Sequence, residues 1–398
     1  MPKKVGLFLG SVPTDGGAYQ YSLSMLAAIV KLSEQGYDTV VVCTNRHWSE
    51  YLAQHPLPVV FRPNTAFQQL MLKCVKFAVV PLTFWRSICT RVSPIAHALV
   101  ERRCDVWIFP SQDEWAYAAP VNALGTIHDL MHRYESRFPE VSGWGKYIRR
   151  ELHYRKLCKW TKALLVDSQV GKQQVIDSYG APAAHIFVLP FVAPDYIYAQ
   201  QQTNDRFDAK YKLPNKFIFY PAQFWQHKNH ARLVQAVASL TRDIPDLALV
   251  LIGSRKNYYH AVRNLVDRLK VTERVHFLDY VPNTDIATLY QRARAMIMPT
   301  FFGPTNIPPL EAFATGCPAA VSNIYAMAEQ VGDAALLFDP ESVSEIAQVI
   351  KRLWLDDDLC ATLAKKGKLR HNAWNQQQFN ERLHEIVDAT ISIAPSSG

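Results

Sequence analysis

Seven cysteines are scattered through 398 residues, an odd number with no two of them two residues apart. That spacing offers neither a zinc site nor the paired framework of a small secreted domain. Reduced thiols in a cytosolic protein are the simpler expectation. No stretch approaches the about 18 uninterrupted apolar residues of a membrane-spanning helix. The opening MPKKVGLFLG holds too short an apolar run for a secretory signal. There is no G-x-G-x-x-G dinucleotide fingerprint, no D-x-D carboxylate pair at a strand end, and no repeat of the solenoid kind. Acidic residues are scarce in one region: 62–103 holds Arg62, Lys73, Lys76, Arg86, Arg91, Arg102 and Arg103 against Glu101 alone.

About half the residues are apolar and a fifth are charged, which is ordinary globular composition. Disordered and collagen-like chains are excluded, and the length suits two or three domains. The net charge is +8, and residues 1–195 carry 21 basic against 15 acidic residues. The local excess at 62–103 fits an anionic partner or a solvated basic face.

Short apolar runs alternate with helical spacing. Val5–Gly10, Thr39–Cys43, Val106–Phe109, Ala123–Ile127 and Ala163–Val166 predict buried strands, with a helix from Tyr19 to Glu34 and another capped by Ser168. A second series, Phe217–Tyr220, Ala248–Ile252, Val275–Phe277, Ala295–Met298 and Ala319–Val321, is interleaved with helical patterns at 230–241, 257–270 and 284–293. Strand–helix alternation means parallel sheets with right-handed crossovers. The Pro- and Gln-rich stretch 191–215 is the expected linker between two doubly wound α/β domains, and an amphipathic helix from Trp374 to Ala394 follows them.

Ligands of open parallel sheets sit beyond the carboxyl ends of the strands. Gly16 and Gly17 precede a helix, where bare amides and the helix dipole suit a phosphate; a tight turn explains the same glycines. His128 ends an apolar strand, where it could hydrogen-bond a ligand, titrate near neutrality, or simply cap the core. Lys228, in QFWQHKNH, could neutralise a diphosphate or be a surface lysine. The richest segment is PTFFGPTNIPPLEAFATGCP. There the amides of Thr305, Asn306 and Ile307 could meet an anion at a helix start, and Glu311 could accept two ribose hydroxyls or pair with a base.

Taken together, FFGPTNIPPLEAFATGCP, YPAQFWQHKNH, LIGS, VHFLDYVP and GTIHDL resemble the family 4 retaining glycosyltransferases of the GT-B fold, over nearly the whole chain. The resemblance implies an α/β chain of two Rossmann-like domains facing across a cleft. These are an acceptor-side domain at 1–195, a nucleotide-sugar domain at 196–372, and a C-terminal helix at 373–398 crossing back to the first. It implies a nucleotide-sugar donor as substrate, no cofactor and no obligatory metal. Glu311 then matches the second Glu of the E-x7-E motif, which holds the ribose. Lys228 matches the base that binds the diphosphate, and His128 the His near the reacting carbon. Gly16 and Gly17 match the phosphate and acceptor loop, Tyr280 and Val281 the segment touching the nucleotide base, and Gly253 the donor-side glycine of LIGS. Two positions depart from the pattern. Gly303 stands where the first Glu belongs, and Gln223 where an Arg is usual, with Arg255 the candidate to compensate.

The expected reaction moves a sugar, with GDP-mannose first and dTDP-rhamnose or a UDP-sugar next, to a glycan or lipid-linked acceptor in surface polysaccharide synthesis. Phe67, Leu70, Met71, Phe77, Phe84 and Trp85 interleave with Lys73, Lys76, Arg86 and Arg91. That pattern suits either a peripheral face on an anionic cytoplasmic leaflet or two core helices with basic outer sides. The rivals are a catalytically impaired protein that binds nucleotide sugar or a partner enzyme, and a nucleic-acid binder. No recognition motif supports the latter.

Overall fold

The structure, a computed structural model, describes residues 2–53, 55–77, 80–198, 205–278 and 280–394. The chain forms two compact units. One comprises residues 1–136, 141–192 and 376–398, and the other residues 137–140 and 193–375.

The first unit is built on seven strands: β1 Lys4–Leu9, β2 Asp38–Cys43, β3 Val59–Phe61, β4 Val106–Phe109, β5 Ala123–Thr126, β6 Ala163–Val166 and β7 Ile186–Val188. They pair in parallel in the order β3-β2-β1-β4-β5-β6-β7. Helices cover both faces, so β4, β5 and β6 are buried along their whole length and their sequences are apolar but for Thr126 at the end of β5. Helix Gly17–Glu34 buries Tyr21, Met25, Leu26, Ile29 and Leu32. Helix Gln376–Ser392 lies against it. Tyr21 meets the edge of Phe379, Gln376 donates to the Ser24 carbonyl at 3.0 Å, and Tyr37 donates to Asp388 at 2.6 Å.

The second unit has six parallel strands: β8 Ile218–Pro221, β9 Leu249–Ile252, β10 Val275–Phe277, β11 Ala295–Met298, β12 Ala319–Ser322 and β13 Ala335–Phe338. Their order is β10-β9-β8-β11-β12-β13. Both sheets therefore reverse their strand order once, beside β1 and β4 in one unit and beside β8 and β11 in the other. Such switch points open a crevice at the carboxyl ends of the strands.

Several expectations shift. The first strand begins and ends one residue earlier than Val5–Gly10, and the helix after it starts at Gly17 because Gly16 supplies the positive φ of the entry turn. Trp374 does not open the last helix. Its N–H closes the preceding helix, Asp357–Ala373, on the Arg370 and His371 carbonyls, and the last helix runs from Gln376 to Ser392. The stretch 191–215 is not unbroken linker. It holds a turn at Asp195–Tyr198 and a helix at Asp205–Tyr211, while 199–204 lie outside the described residues. Within 66–100, Trp85 is buried, Lys76 pairs with Glu114 at 2.6 Å, and Arg86 donates to the Tyr117 and Ala119 carbonyls. Those three hold the unit together.

Candidate active site

The crevice of the second unit collects most of the expected donor residues. The loop after β8 turns sharply at Asn229, whose φ is +59°, and Asn229 pins it by donating to the Pro299 and Pro340 carbonyls, each at 2.9 Å. Glu140 accepts from the Gln226 amide at 2.6 Å. Burial opposes its ionisation, but His227, with Nδ1 3.7 Å away, and hydrogen bonds from backbone amides hold its carboxyl down at about 2. The loop is thus fixed at both ends, and Lys228 reaches across the crevice to donate to Asn306 Oδ1 at 3.2 Å.

Asn306 is itself locked. Its amide N–H donates to Gln330 Oε1 at 3.0 Å, Gln330 Nε2 donates back to its carbonyl at 2.6 Å, and its side chain donates to the Phe302 carbonyl at 2.9 Å. In this structure the Asn306 amide, expected to meet an anion, donates to Gln330 instead. Thr305 precedes it in the loop, and Ile307 caps helix Pro308–Thr315.

Glu311 lies on that helix, buried to 4% exposure. Among the described residues it pairs with no base. Tyr290 donates to Oε2 at 2.5 Å, and Tyr196 donates to Oε1. Burial raises the Glu311 pKa, and the two phenols oppose the rise only in part. Neither tyrosine was singled out from sequence. They lie 115 and 21 residues away, and no local pattern links them to Glu311.

Gln223 spends its Oε1 on the Trp225 indole N–H at 2.8 Å. Gly253, at φ +145°, packs so tightly on Ala222 that a Cβ would collide with the carbonyl oxygen there. This close approach of the loops after β8 and β9 requires glycine. Arg255 follows with its guanidinium 4.9 Å from the Tyr259 ring centre. Gly303 faces the Tyr325 ring, whose nearest atom would stand 3.4 Å from an added Cβ. Tyr280 is 88% exposed, whereas Val281 turns into the hydrophobic core. The Val281 side chain is a packing residue, and among the described residues of that segment Tyr280 projects furthest.

The first unit presents a different crevice. Gly16 and Gly17 lie at the start of helix Gly17–Glu34. His128, beyond β5, is held by the Pro110 carbonyl at 2.9 Å from Nε2. A carbonyl only accepts, so Nε2 carries the hydrogen and Nδ1 of the neutral ring is an acceptor. The ring stacks on Phe191 and meets the edge of Tyr21. Removal from water pulls its pKa down to about 4, which corrects the expectation of titration near neutrality.

Asp113 was missed from sequence. It stands beyond β4 with its carboxyl packed over Gly10, where a Cβ would strike Oδ1, and it accepts from Ser111 at 2.6 Å. Burial pushes its pKa up to about 7. The signal was present as the polar run Ser111–Glu114 directly after an apolar strand. Among the described residues no group of His, Cys, Asp and Glu is arranged to hold a metal ion.

Residues 201–370 match the family described as Glycosyl transferases group 1. The O-antigen chain mannosyltransferase B of Escherichia coli is 27% identical over 277 residues, 66% of this chain and 71% of that protein. The O-antigen chain mannosyltransferase RfbU of Salmonella typhimurium is 23% identical over 344 residues, 85% of this chain and 87% of its own. Among solved structures, Alr3699/HepE of Anabaena in complex with UDP-glucose superposes with a TM-score of 0.73 at 17% identity, covering 97% of this chain and 99% of that one. Residues 201–370, within the second unit, thus match a group 1 glycosyltransferase domain, and the chain has the GT-B fold.

Proposed function

We propose that the chain is a retaining, family 4 mannosyltransferase that uses GDP-mannose, without an obligatory metal, to extend a glycan or lipid-linked acceptor of surface polysaccharide. The observation that carries this reading is the Lys228–Asn306 bridge across the crevice of the matched domain. The two mannosyltransferase relatives support the sugar.

In this reading the anomeric C–O bond of the donor breaks toward an oxocarbenium-like carbon, and the nucleoside diphosphate leaves as an anion. Lys228 exchanges Asn306 for that anion and stabilises the charge developing on it, with the crevice already organised around the charge. A fixed cation in this place does the work a divalent ion would otherwise do. Glu311 holds the ribose by exchanging a tyrosine hydroxyl for a sugar hydroxyl. His128 stays neutral, accepts a hydrogen bond from a sugar hydroxyl at Nδ1, and donates no proton. The acceptor hydroxyl attacks from the face the diphosphate leaves, and a phosphate oxygen takes its proton.

A second reading is favoured by Gly303 and by the double occupation of Glu311: a protein that binds nucleotide sugar without turning it over. One experiment separates the two. The purified protein is given GDP-mannose, dTDP-rhamnose and UDP-sugars in the presence of chelator, with and without lipid-linked glycan acceptors, and free nucleoside diphosphate is measured. Release from GDP-mannose is the expected result. Binding of a donor without release under any condition selects the second reading, and release only from another donor replaces the sugar.

A further inference from the structure

Large apolar side chains exposed on the first unit are not spread over it. Phe67, Leu70 and Phe77 are 49–58% exposed along helix Ala66–Lys76 and just beyond it, and Phe84 is 57% exposed on helix Leu82–Val92. Trp144, Tyr147 and Ile148 cluster at the start of helix Lys146–Trp160, and Trp144 is fully exposed. It is held out between Gly143 and Gly145 at φ +54°, a conformation L-residues avoid.

These helices are neighbours. Lys156, on the third, donates to the Val75 carbonyl at 2.6 Å and to that of Lys76, and Arg86, on the second, lies 5.3 Å from the Trp160 ring centre. Each carries an exposed stripe at helical spacing: Phe67, Leu70, Lys73 and Phe77; Phe84, Ser87 and Arg91; Ile148, Arg155 and Lys159. The three helices hold ten basic residues and a single acid, Glu151. That acid is consumed by Arg133 and Arg155. Lys73, Arg91, Arg149 and Lys159 stay exposed among the protruding apolar groups.

We infer that this side of the first unit, made of helices Ala66–Lys76, Leu82–Val92 and Lys146–Trp160, docks on the surface of an anionic lipid bilayer. Aliphatic side chains such as Leu70 and Ile148 gain nothing from a phosphate backbone but do gain from the boundary of the acyl chains. Charge of one sign around them matches acidic headgroups. Tryptophan and tyrosine at the rim suit the interface, with an apolar body and a polar edge. None of these residues belongs to the transfer chemistry, so the inference stands or falls apart from it.

The test is flotation of the full chain with vesicles of phosphatidylcholine alone and of phosphatidylcholine with phosphatidylglycerol. The wild type is expected to float only with the anionic vesicles and to be released by salt. The double variants Leu70→Glu/Phe84→Glu and Lys73→Glu/Arg149→Glu should each lose binding by about tenfold or more. Their thermal melting and their transfer to a soluble acceptor should stay unchanged. Leu355→Glu, an exposed apolar position on the second unit, serves as the control that should float normally. The gentler Phe84→Ser and Lys73→Gln substitute if a double variant fails to fold. Equal flotation with neutral vesicles, unchanged flotation of both double variants, or no flotation of the wild type would overturn the inference. Loss of transfer to soluble glycan with vesicle binding intact would also overturn it, and would assign the face to the acceptor sugar.

Discussion

The two sheets reverse strand order in the same way, yet their crevices are chemically opposite. Beyond β8 and β11 stands a cation, Lys228, clamped by an amide that is itself clamped by Gln330. Beyond β1, β4 and β5 stand a neutral imidazole and an acid, His128 and Asp113, with no lysine or arginine among the residues that shift either group. A crevice organised around a cation suits a diphosphate. A neutral imidazole and a carboxyl suit the hydroxyls of a sugar better than an anion. The fold is shared between the units, and the side chains at the strand ends set them apart.

The strongest way to break this contrast is to remove the cation. Lys228→Ala should lower nucleoside diphosphate release from the donor by about 10- to 150-fold, the equivalent of one charge-assisted hydrogen bond. Steady-state rates equal to wild type would remove Lys228 from the mechanism. The enclosure of Glu311 yields an effect of opposite sign at two neighbouring residues. Glu311→Ala should weaken nucleotide binding by about tenfold and lower the melting temperature, because the buried Tyr290 hydroxyl loses an acceptor. Tyr196→Phe should tighten nucleotide binding a few-fold if its hydroxyl competes with the ribose for Oε1. Calorimetry reads both, and weaker binding in Tyr196→Phe would show that the phenol positions the carboxylate.

The first crevice is probed by pH. His128→Ala should slow turnover more than it weakens nucleotide binding. The wild-type rate should show no limb from His128 between pH 5 and 8, since the ring stays neutral down to about 4. A limb near 7 that vanishes in Asp113→Asn would place Asp113 in contact with the acceptor. A limb that survives there would exclude it.

The smallest effect is on stability. Burial holds His132, His153 and His230 at about 4, 3 and 3, below the ordinary value of 6.5. The unfolded chain therefore binds more protons than the folded one as pH falls below 6.5, and stability declines from there toward 3. Asp113 and Glu311, both raised, work against this trend but are fewer. Denaturant midpoints that rise between pH 6.5 and 4 would contradict the balance.

The strands that continuous burial makes uniformly apolar, such as Val106–Phe109 and Ala295–Met298, were legible residue for residue. The short β3, β7 and β13 were not. Two are three residues long, and β13 is only partly buried, so none leaves a distinct apolar run. Lys228 and Asn306 were legible as candidates because each sits in the loop that follows a buried strand, at the carboxyl edge of the sheet. What Glu311 touches was not, since Tyr196 and Tyr290 come from elements that only tertiary packing brings to it. The same holds for the Gln330 clamp on Asn306. The basic, aromatic stretch 66–92 was ambiguous for a related reason. Periodicity alone does not separate Arg86, which caps buried carbonyls, from Arg91, which faces water.

The most direct measurement is calorimetric titration of GDP and UDP, in chelator, into the wild type and Lys228→Ala. The proposed role of Lys228 predicts binding to the wild type and affinity about tenfold or more weaker in the variant, with the melting temperature in the absence of nucleotide unchanged. Equal affinity in the two proteins, or no binding to either, would contradict the assignment of the nucleotide to the crevice beside β8 and β11.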